Sequence, residues 1–148
     1  MPSAVDIVLV EDNPSDIKLA IHAFRKINLT TSVQVLRDGA EALEYLLHTG
    51  RYADRKGQAR PKLVLLDLKL PLVDGLTVLR QLKADVRTKT IPIVVMTTSS
   101  QEHDVEESYR LGVNSYVQKP VDFAKFIDVV RELGRYWLSF NRAPYGAR

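Results

Sequence analysis

A doubly wound α/β fold around a five-stranded parallel sheet is what this chain of 148 residues predicts. Short apolar runs stand at 6–10 (Asp-Ile-Val-Leu-Val), 63–66 (Leu-Val-Leu-Leu) and 93–96 (Ile-Val-Val-Met). They lack the polar alternation of a half-exposed strand, as strands covered on both faces do. Stretches with apolar residues three and four apart separate them, the mark of amphipathic helices. Strict alternation of the two implies parallel strands, right-handed crossovers and helices on both faces of the sheet.

In chain order, the strand at 6–10 runs into Glu11 and Asp12. Asn13-Pro14-Ser15-Asp16 opens a helix, with Asn13 as cap, Pro14 at the first helical position and Asp16 completing a capping box. Its apolar stripe is Ile17, Ala20, Ile21, Phe24 and Ile27. A short strand at 33–36 follows. Asp38-Gly39 then turns into a helix carrying Ala42, Leu43, Leu46 and Leu47. The polar stretch 48–62, with Gly50, Gly57 and Pro61 and an excess of Arg and Lys, reads as a long surface loop. The strand at 63–66 ends in Asp67, and Pro71, Asp74 and Gly75 announce a loop before a helix at about 76–84 with Val78, Leu79 and Leu82 inward.

The fourth strand, 93–96, ends in Thr97-Thr98-Ser99-Ser100. A more polar helix at about 102–111 draws on Val105, Tyr109 and Leu111, with Gly112 just beyond its end. The fifth strand, 115–118, stops at Lys119-Pro120. Asp122 caps a last long helix whose stripe is Phe123, Phe126, Ile127, Val130, Leu133, Trp137 and Phe140, and residues 142–148 read as a frayed tail. The expectation is one domain over 1–148, with a core at about 5–140 and a tail at 141–148.

Composition narrows the chemistry. No cysteine is present, which excludes disulfides, thiolate metal sites and cysteine nucleophiles. The formal net charge of +3 is spread along the chain, without a basic stripe interleaved with aromatics, so no direct nucleic-acid contact is expected. The start lacks a basic region followed by a long apolar one, and no apolar stretch approaches membrane-spanning length, so a cytoplasmic protein with no membrane contact is expected. His22, His48 and His103 have no ligand-like spacing. No phosphate-cradling glycine loop is present either.

The chemistry-bearing residues all fall at the same end of their strands: Glu11 and Asp12, Asp67, Thr97, and Lys119. In a doubly wound sheet these ends meet around one crevice. Taken singly, each has an ordinary explanation: Asp67 a loop residue, Asp12 a helix cap, Lys119 a solvated lysine, Thr97 a strand-end threonine, Tyr116 a packed aromatic. Taken together they converge. Three carboxylates at one edge repel one another unless a cation sits among them, and an all-oxygen set suits Mg²⁺. Lys119 and Thr97 would add the positive charge and the hydroxyl that a phosphoryl group needs.

In this order and spacing, over about 5–140, these residues resemble the receiver domains of two-component response regulators, whose flavodoxin-like (βα)5 fold is shared with the chemotaxis response regulator. The resemblance implies that Glu11 and Asp12 are the acidic pair binding Mg²⁺ and that Asp67 is the phosphoacceptor and a further ligand. The Lys69 backbone carbonyl would complete the protein ligands. Thr97 matches the switch hydroxyl, Tyr116 the switch aromatic and Lys119 the phosphate-binding lysine; a cis Lys119–Pro120 bond is implied as well. Asp67 would take a phosphoryl group from a histidine kinase and slowly lose it to water, shifting the surface formed by the fourth helix, fifth strand and fifth helix. Thr98 stands where receivers often carry a smaller residue, and Lys69 adds a cation beside the site.

Val-Glu-Asp-Asn-Pro-Ser-Asp at 10–16, the basic loop before the third strand, Met-Thr-Thr-Ser-Ser at 96–100 and Tyr-Trp-Leu at 136–138 are similar to the stand-alone regulators that pair with bacterial and cyanobacterial phytochrome kinases. A phytochrome-like sensor kinase is the implied partner. Competing readings are a diffusible effector, or a phosphotransfer intermediate or phosphate sink without a target. A metal-dependent phosphatase would want a second Asp two residues after the nucleophile, where this chain has Lys69. The last helix, about 26 Å if it runs from 123 to 140, would carry Tyr136, Trp137 and Phe140 past the sheet, an invitation to a symmetric dimer. The alternative is that Trp137 packs on its own first helix.

Overall fold

Five parallel strands, β1 (Ile7–Val10), β2 (Val33–Leu36), β3 (Leu63–Leu66), β4 (Ile93–Thr97) and β5 (Ser115–Gln118), form one sheet in the order β2-β1-β3-β4-β5. The computed structural model describes residues 5–55 and 59–144. The expected fold is present: a flavodoxin-like sheet with five helices on its two faces. Every residue of β1, β3 and β4 is buried, which is why their sequences are unbroken apolar runs.

Helices α1 (Pro14–Ile27) and α5 (Phe123–Arg135) pack on one face and on each other. Ile17, Phe24, Phe126 and Val130 meet Ile7, Leu65 and Val94 there. On the other face α2 (Gly39–Leu47), α3 (Gly75–Ala84) and α4 (Glu102–Leu111) cover Val8, Val64, Leu66 and Val95 with Ala42, Leu46, Val78, Leu79 and Leu82. Side-chain caps start four of the five helices: Asn13, Asp38, Asp74 and Asp122 each accept an N–H from three residues on. Gly112 ends α4 at φ 104°, in the left-handed region that a side chain disfavours.

Several expectations are corrected. Stretch 48–62 is more than a loop: Gly50–Arg55 winds into a kinked 3₁₀ segment. It returns its side chains to α2, with Tyr52 edge-on to Tyr45 at 5.0 Å, the Arg55 guanidinium 3.8 Å over the Tyr45 ring and the Tyr52 hydroxyl donating to Glu41 at 2.6 Å. Gly57 lies outside the described residues, as do 145–148 of the expected tail. Tyr109 and Phe123, assigned inward, are exposed, and so is Phe140. The last helix continues beyond Arg135 as a π turn, Tyr136–Phe140, closed by the Asn141 N–H on the Tyr136 carbonyl at 2.7 Å. A single wider turn leaves no trace in a 3.6-residue apolar repeat. Tyr136 and Phe140 are exposed, whereas Trp137 is half-buried against the cluster beneath α1 and α5, 5.0 Å edge-on from Tyr136.

Candidate functional site

Strand order reverses between β1 and β3, and the crevice at their carboxyl ends is where such sheets hold ligands. Register sets the residues that line it. Val10 pairs with Leu66, so Glu11 and Asp12 leave β1 level with Asp67. Leu66 pairs with Val95 and Thr97 with Gln118, bringing the ends of β4 and β5 alongside. Main-chain bonds from the Asp67 N–H to the Val10 carbonyl (3.1 Å) and from the Lys119 N–H to the Thr97 carbonyl (2.7 Å) lock the corners. Gly75 presses so closely on the start of the loop after β3 that a Cβ there would run into the Asp67 carbonyl oxygen and lie 2.5 Å from Leu68 Cα.

Lys119 is the centre. Its ammonium contacts Asp16 Oδ2 at 2.7 Å, Glu11 Oε1 at 2.8 Å and Asp67 Oδ2 at 3.0 Å. An ammonium has three protons, and three carboxylates take them. The side chains of Lys119, Glu11 and Asp67 are 7%, 5% and 8% exposed, so water screens these charges poorly. Burial pushes the Glu11 carboxyl up to about 7 against the pull of Lys119, with the charge of Asp67 adding to the rise. Burial acts on Lys119 in the opposite sense, but hydrogen bonds to Asp16 and Glu11 and the charge of Asp67 outweigh it and hold the ammonium above the ordinary lysine range.

Glu11, Asp12 and Asp67 each offer an oxygen within 4.8 Å of the others, the one such group of possible metal ligands among the described residues. Asp12 is exposed at the mouth, while Glu11 and Asp67 form the floor. The donor set fits a hard divalent cation: all oxygen, more negative than its one lysine can balance, and open to water on the Asp12 side. The Lys69 N–H donates to Asp67 Oδ1 at 3.4 Å, and the Lys69 side chain points to solvent.

Thr97 is fully buried at the end of β4, its hydroxyl 3.5 Å from the Ser99 N–H. Tyr116 is half-buried against the α2–α3–α4 core, and its hydroxyl donates to the Ser99 carbonyl at 2.9 Å. The Ser99 hydroxyl in turn donates to Asp104 on α4 at 2.5 Å, so one residue joins the loop after β4 to both β5 and α4. The implied cis Lys119–Pro120 bond is overturned: among the described residues every peptide bond is trans. Trans is the cheaper form for a bond before proline, and Lys119 reaches all three carboxylates from it.

The sequence places Glu11, Asp12, Asp67, Thr97 and Lys119 at one sheet edge, and the structure brings them together there. Two participants were not foreseen. The sequence pattern places Asp16 in a capping box, yet only its backbone N–H serves the cap, donating to Asn13 Oδ1 at 3.1 Å; its carboxylate belongs to Lys119. The spacing from Asn13 is the same in both cases, so nothing local distinguishes them. Ser99 carried no signal beyond its place after β4.

The doubly wound fold with an acidic cluster at its switch point defines a receiver-type domain, and comparison with known proteins agrees. The model of the response regulator receiver domain matches residues 7–131, and the chain belongs to that family. It is 45% identical over 139 residues to the probable methanogenesis regulatory protein FilR2 of Methanothrix harundinacea, covering 93% of this chain and 86% of that one. The structure of the phosphorylated cyanobacterial phytochrome response regulator RcpA superposes with a TM-score of 0.89 at 40% identity, covering 97% of this chain and all of that one. The Mn²⁺-bound form of response regulator Rcp1, a Synechocystis protein, gives 0.87 at 37% identity, with 94% and 98% covered. Phytochrome-associated response regulators are thus close homologues of this chain. No helix among the described residues is long and apolar enough to cross a membrane.

Proposed function

We propose that this chain acts as a cytoplasmic response regulator that accepts a phosphoryl group on Asp67 from a sensor histidine kinase, of phytochrome type. The observation that carries the reading is the contact of the Lys119 ammonium with Asp67 Oδ2 at 3.0 Å, inside a buried cluster of acids. An Asp67 oxygen forms a bond to phosphorus as the nitrogen–phosphorus bond of the donor phosphohistidine breaks. The imidazole leaves with that electron pair and is reprotonated by solvent. Lys119 turns donors to the phosphoryl oxygens and offsets their charge, so the chain contributes mainly position and electrostatics. Glu11, Asp12, Asp67 and the Lys69 carbonyl would hold Mg²⁺, which when bound neutralises phosphoryl charge.

The signal then spreads as a population shift. Phosphate recruits the Thr97 hydroxyl, the loop after β4 closes inward, and Tyr116, tied to Ser99 in that loop, follows. The α4–β5–α5 surface changes, and with it a homodimer in which the exposed Tyr136 and Phe140 flank Trp137. The test is incubation with Mg²⁺ and acetyl phosphate, read by intact mass and size-exclusion elution. One phosphoryl group gained and earlier elution are expected, both abolished in Asp67→Asn. Equal labelling of Asp67→Asn overturns the assignment of the phosphoacceptor, and labelling without a size change overturns the dimer switch.

A further inference from the structure

We propose that Asp16 is a positioning residue for phosphoryl transfer, the fixed anchor that keeps the Lys119 ammonium aimed at Asp67 while its other two partners are reassigned. The proposal rests on Asp67 being the phosphoacceptor. Of the three carboxylates on Lys119, Glu11 and Asp67 belong to the group whose oxygens converge as metal ligands, and Asp16 does not. An Asp67 oxygen is also the atom that bonds to phosphorus. Two of the three contacts thus have competing claims during the reaction, and Asp16 alone has none.

Its placement suits an anchor. The backbone at Asp16 is pinned in the first turn of α1 by the bond from its N–H to Asn13 Oδ1, and α1 is pinned by its packing on α5. The carboxylate spans 103 positions of sequence to Lys119, at the shortest distance of the three. The pair is 7% and 21% exposed, unlike the surface ion pair of Arg110 and Glu107, whose arginine is 72% exposed. Held at one carboxylate, the long lysine side chain keeps its direction when a phosphoryl oxygen takes a second proton. Without that hold, transfer would have to wait for an unconstrained chain to find the donor. The competing explanation is that an acid in the first turn of α1 only steadies the helix dipole. That predicts a loss of stability shared by Asp16→Ala and Asp16→Asn, with no effect on transfer.

The experiment follows the rate of labelling by acetyl phosphate at fixed Mg²⁺ over a range of donor concentrations, in wild type, D16A, D16N and D67N. In this reaction an Asp67 oxygen–phosphorus bond forms, the bond from phosphorus to the acetyl oxygen breaks, and acetate leaves with the electron pair. D16A is expected to lower the maximal rate about tenfold, the cost of losing one oriented contact. D16N retains an acceptor without the charge and should recover to within about threefold of wild type. The half-saturating donor concentration should not rise in either variant, since Asp16 does not touch the donor. A second readout needs neither metal nor donor. In ¹⁵N-lysine spectra of the metal-free protein, the Lys119 ammonium signal should survive in D16N and be lost to water exchange in D16A. Wild-type maximal rate and an unchanged Lys119 signal in D16A, with D67N unlabelled, would overturn the anchor and leave the phosphoacceptor standing. Labelling of D67N would overturn the phosphoacceptor reading and the anchor with it. If D16A does not fold, D16E carries the test, its charge kept but displaced by one methylene: a lowered maximal rate supports the anchor, and the wild-type rate overturns it.

Discussion

Two lysines with little access to water hold opposite ends of the same sheet. At the carboxyl end, Lys119 gives its three protons to Glu11, Asp16 and Asp67. At the amino end, Lys83 on α3 gives its own to the carbonyls of Lys89 and Ile91, both at 3.1 Å, and to Asn114 Oδ1 at 3.2 Å. The count of bonds is the same, and the character of the acceptors differs. Charged partners leave Lys119 in a site of net negative charge and raise its proton affinity, whereas burial among neutral dipoles lowers that of Lys83. On the function proposed above, a cation or phosphoryl group would exchange with the partners of the first lysine. The second is a staple: it ties the segment before β4 to the start of β5, where Asn114 also accepts the Ile93 N–H at 2.8 Å. The kind of acceptor, more than depth of burial, separates a site from a strut.

The comparison breaks most visibly on removal of Lys119. In metal-free protein, Lys119→Met leaves three carboxylates facing one another, two of them buried, and is expected to cost about 3 kcal/mol of stability in urea unfolding. Millimolar Mg²⁺ should restore part of that, because an ion bound only by the folded state stabilises it. No loss in metal-free protein would mean that the acids carry no uncompensated charge. Lys83→Met removes three bonds to neutral acceptors but also relieves a buried charge. About 1 kcal/mol is expected, indifferent to Mg²⁺ and without effect on labelling of Asp67. A Mg²⁺-dependent stability change in this variant would erase the distinction between the two ends.

The two ends were not equally legible in the sequence. The sheet was readable because β1, β3 and β4 are buried on both faces and must be apolar throughout, and most site residues were readable because the register of a parallel sheet delivers strand ends to one edge. Asp16 was not, since its helix-start spacing has a complete local explanation while its partner stands 103 positions away. Lys83 was hidden for a related reason: its acceptors are mostly main-chain carbonyls, which any residue supplies. The 3₁₀ segment escaped because Tyr52 and Arg55 lie in a polar stretch, and what orders them is a contact with Tyr45 on the preceding helix.

The smallest test lies at the amino end, beside the staple. Asp85, the residue that ends α3, accepts from the Arg87 backbone N–H at 2.8 Å, from Nε at 3.0 Å and from Nη2 at 2.7 Å, and Arg87 holds its carboxyl down to about 2. A carboxyl depressed in the folded state stabilises fully above its ordinary value of 3.8 and loses that contribution as pH falls through the folded value. The Arg87 side chain is 54% exposed, so screening limits the effect to about 0.5 kcal/mol. The stability difference between wild type and Asp85→Asn, measured by urea unfolding at stepped pH, should be constant from pH 7 to about 4 and close below that. A difference that persists undiminished toward pH 2 would show that Asp85 acts through its hydrogen-bond geometry, which Asn does not reproduce, and not through its charge. The amino end would then be neutral in its energetics throughout, and the contrast with Lys119 sharper.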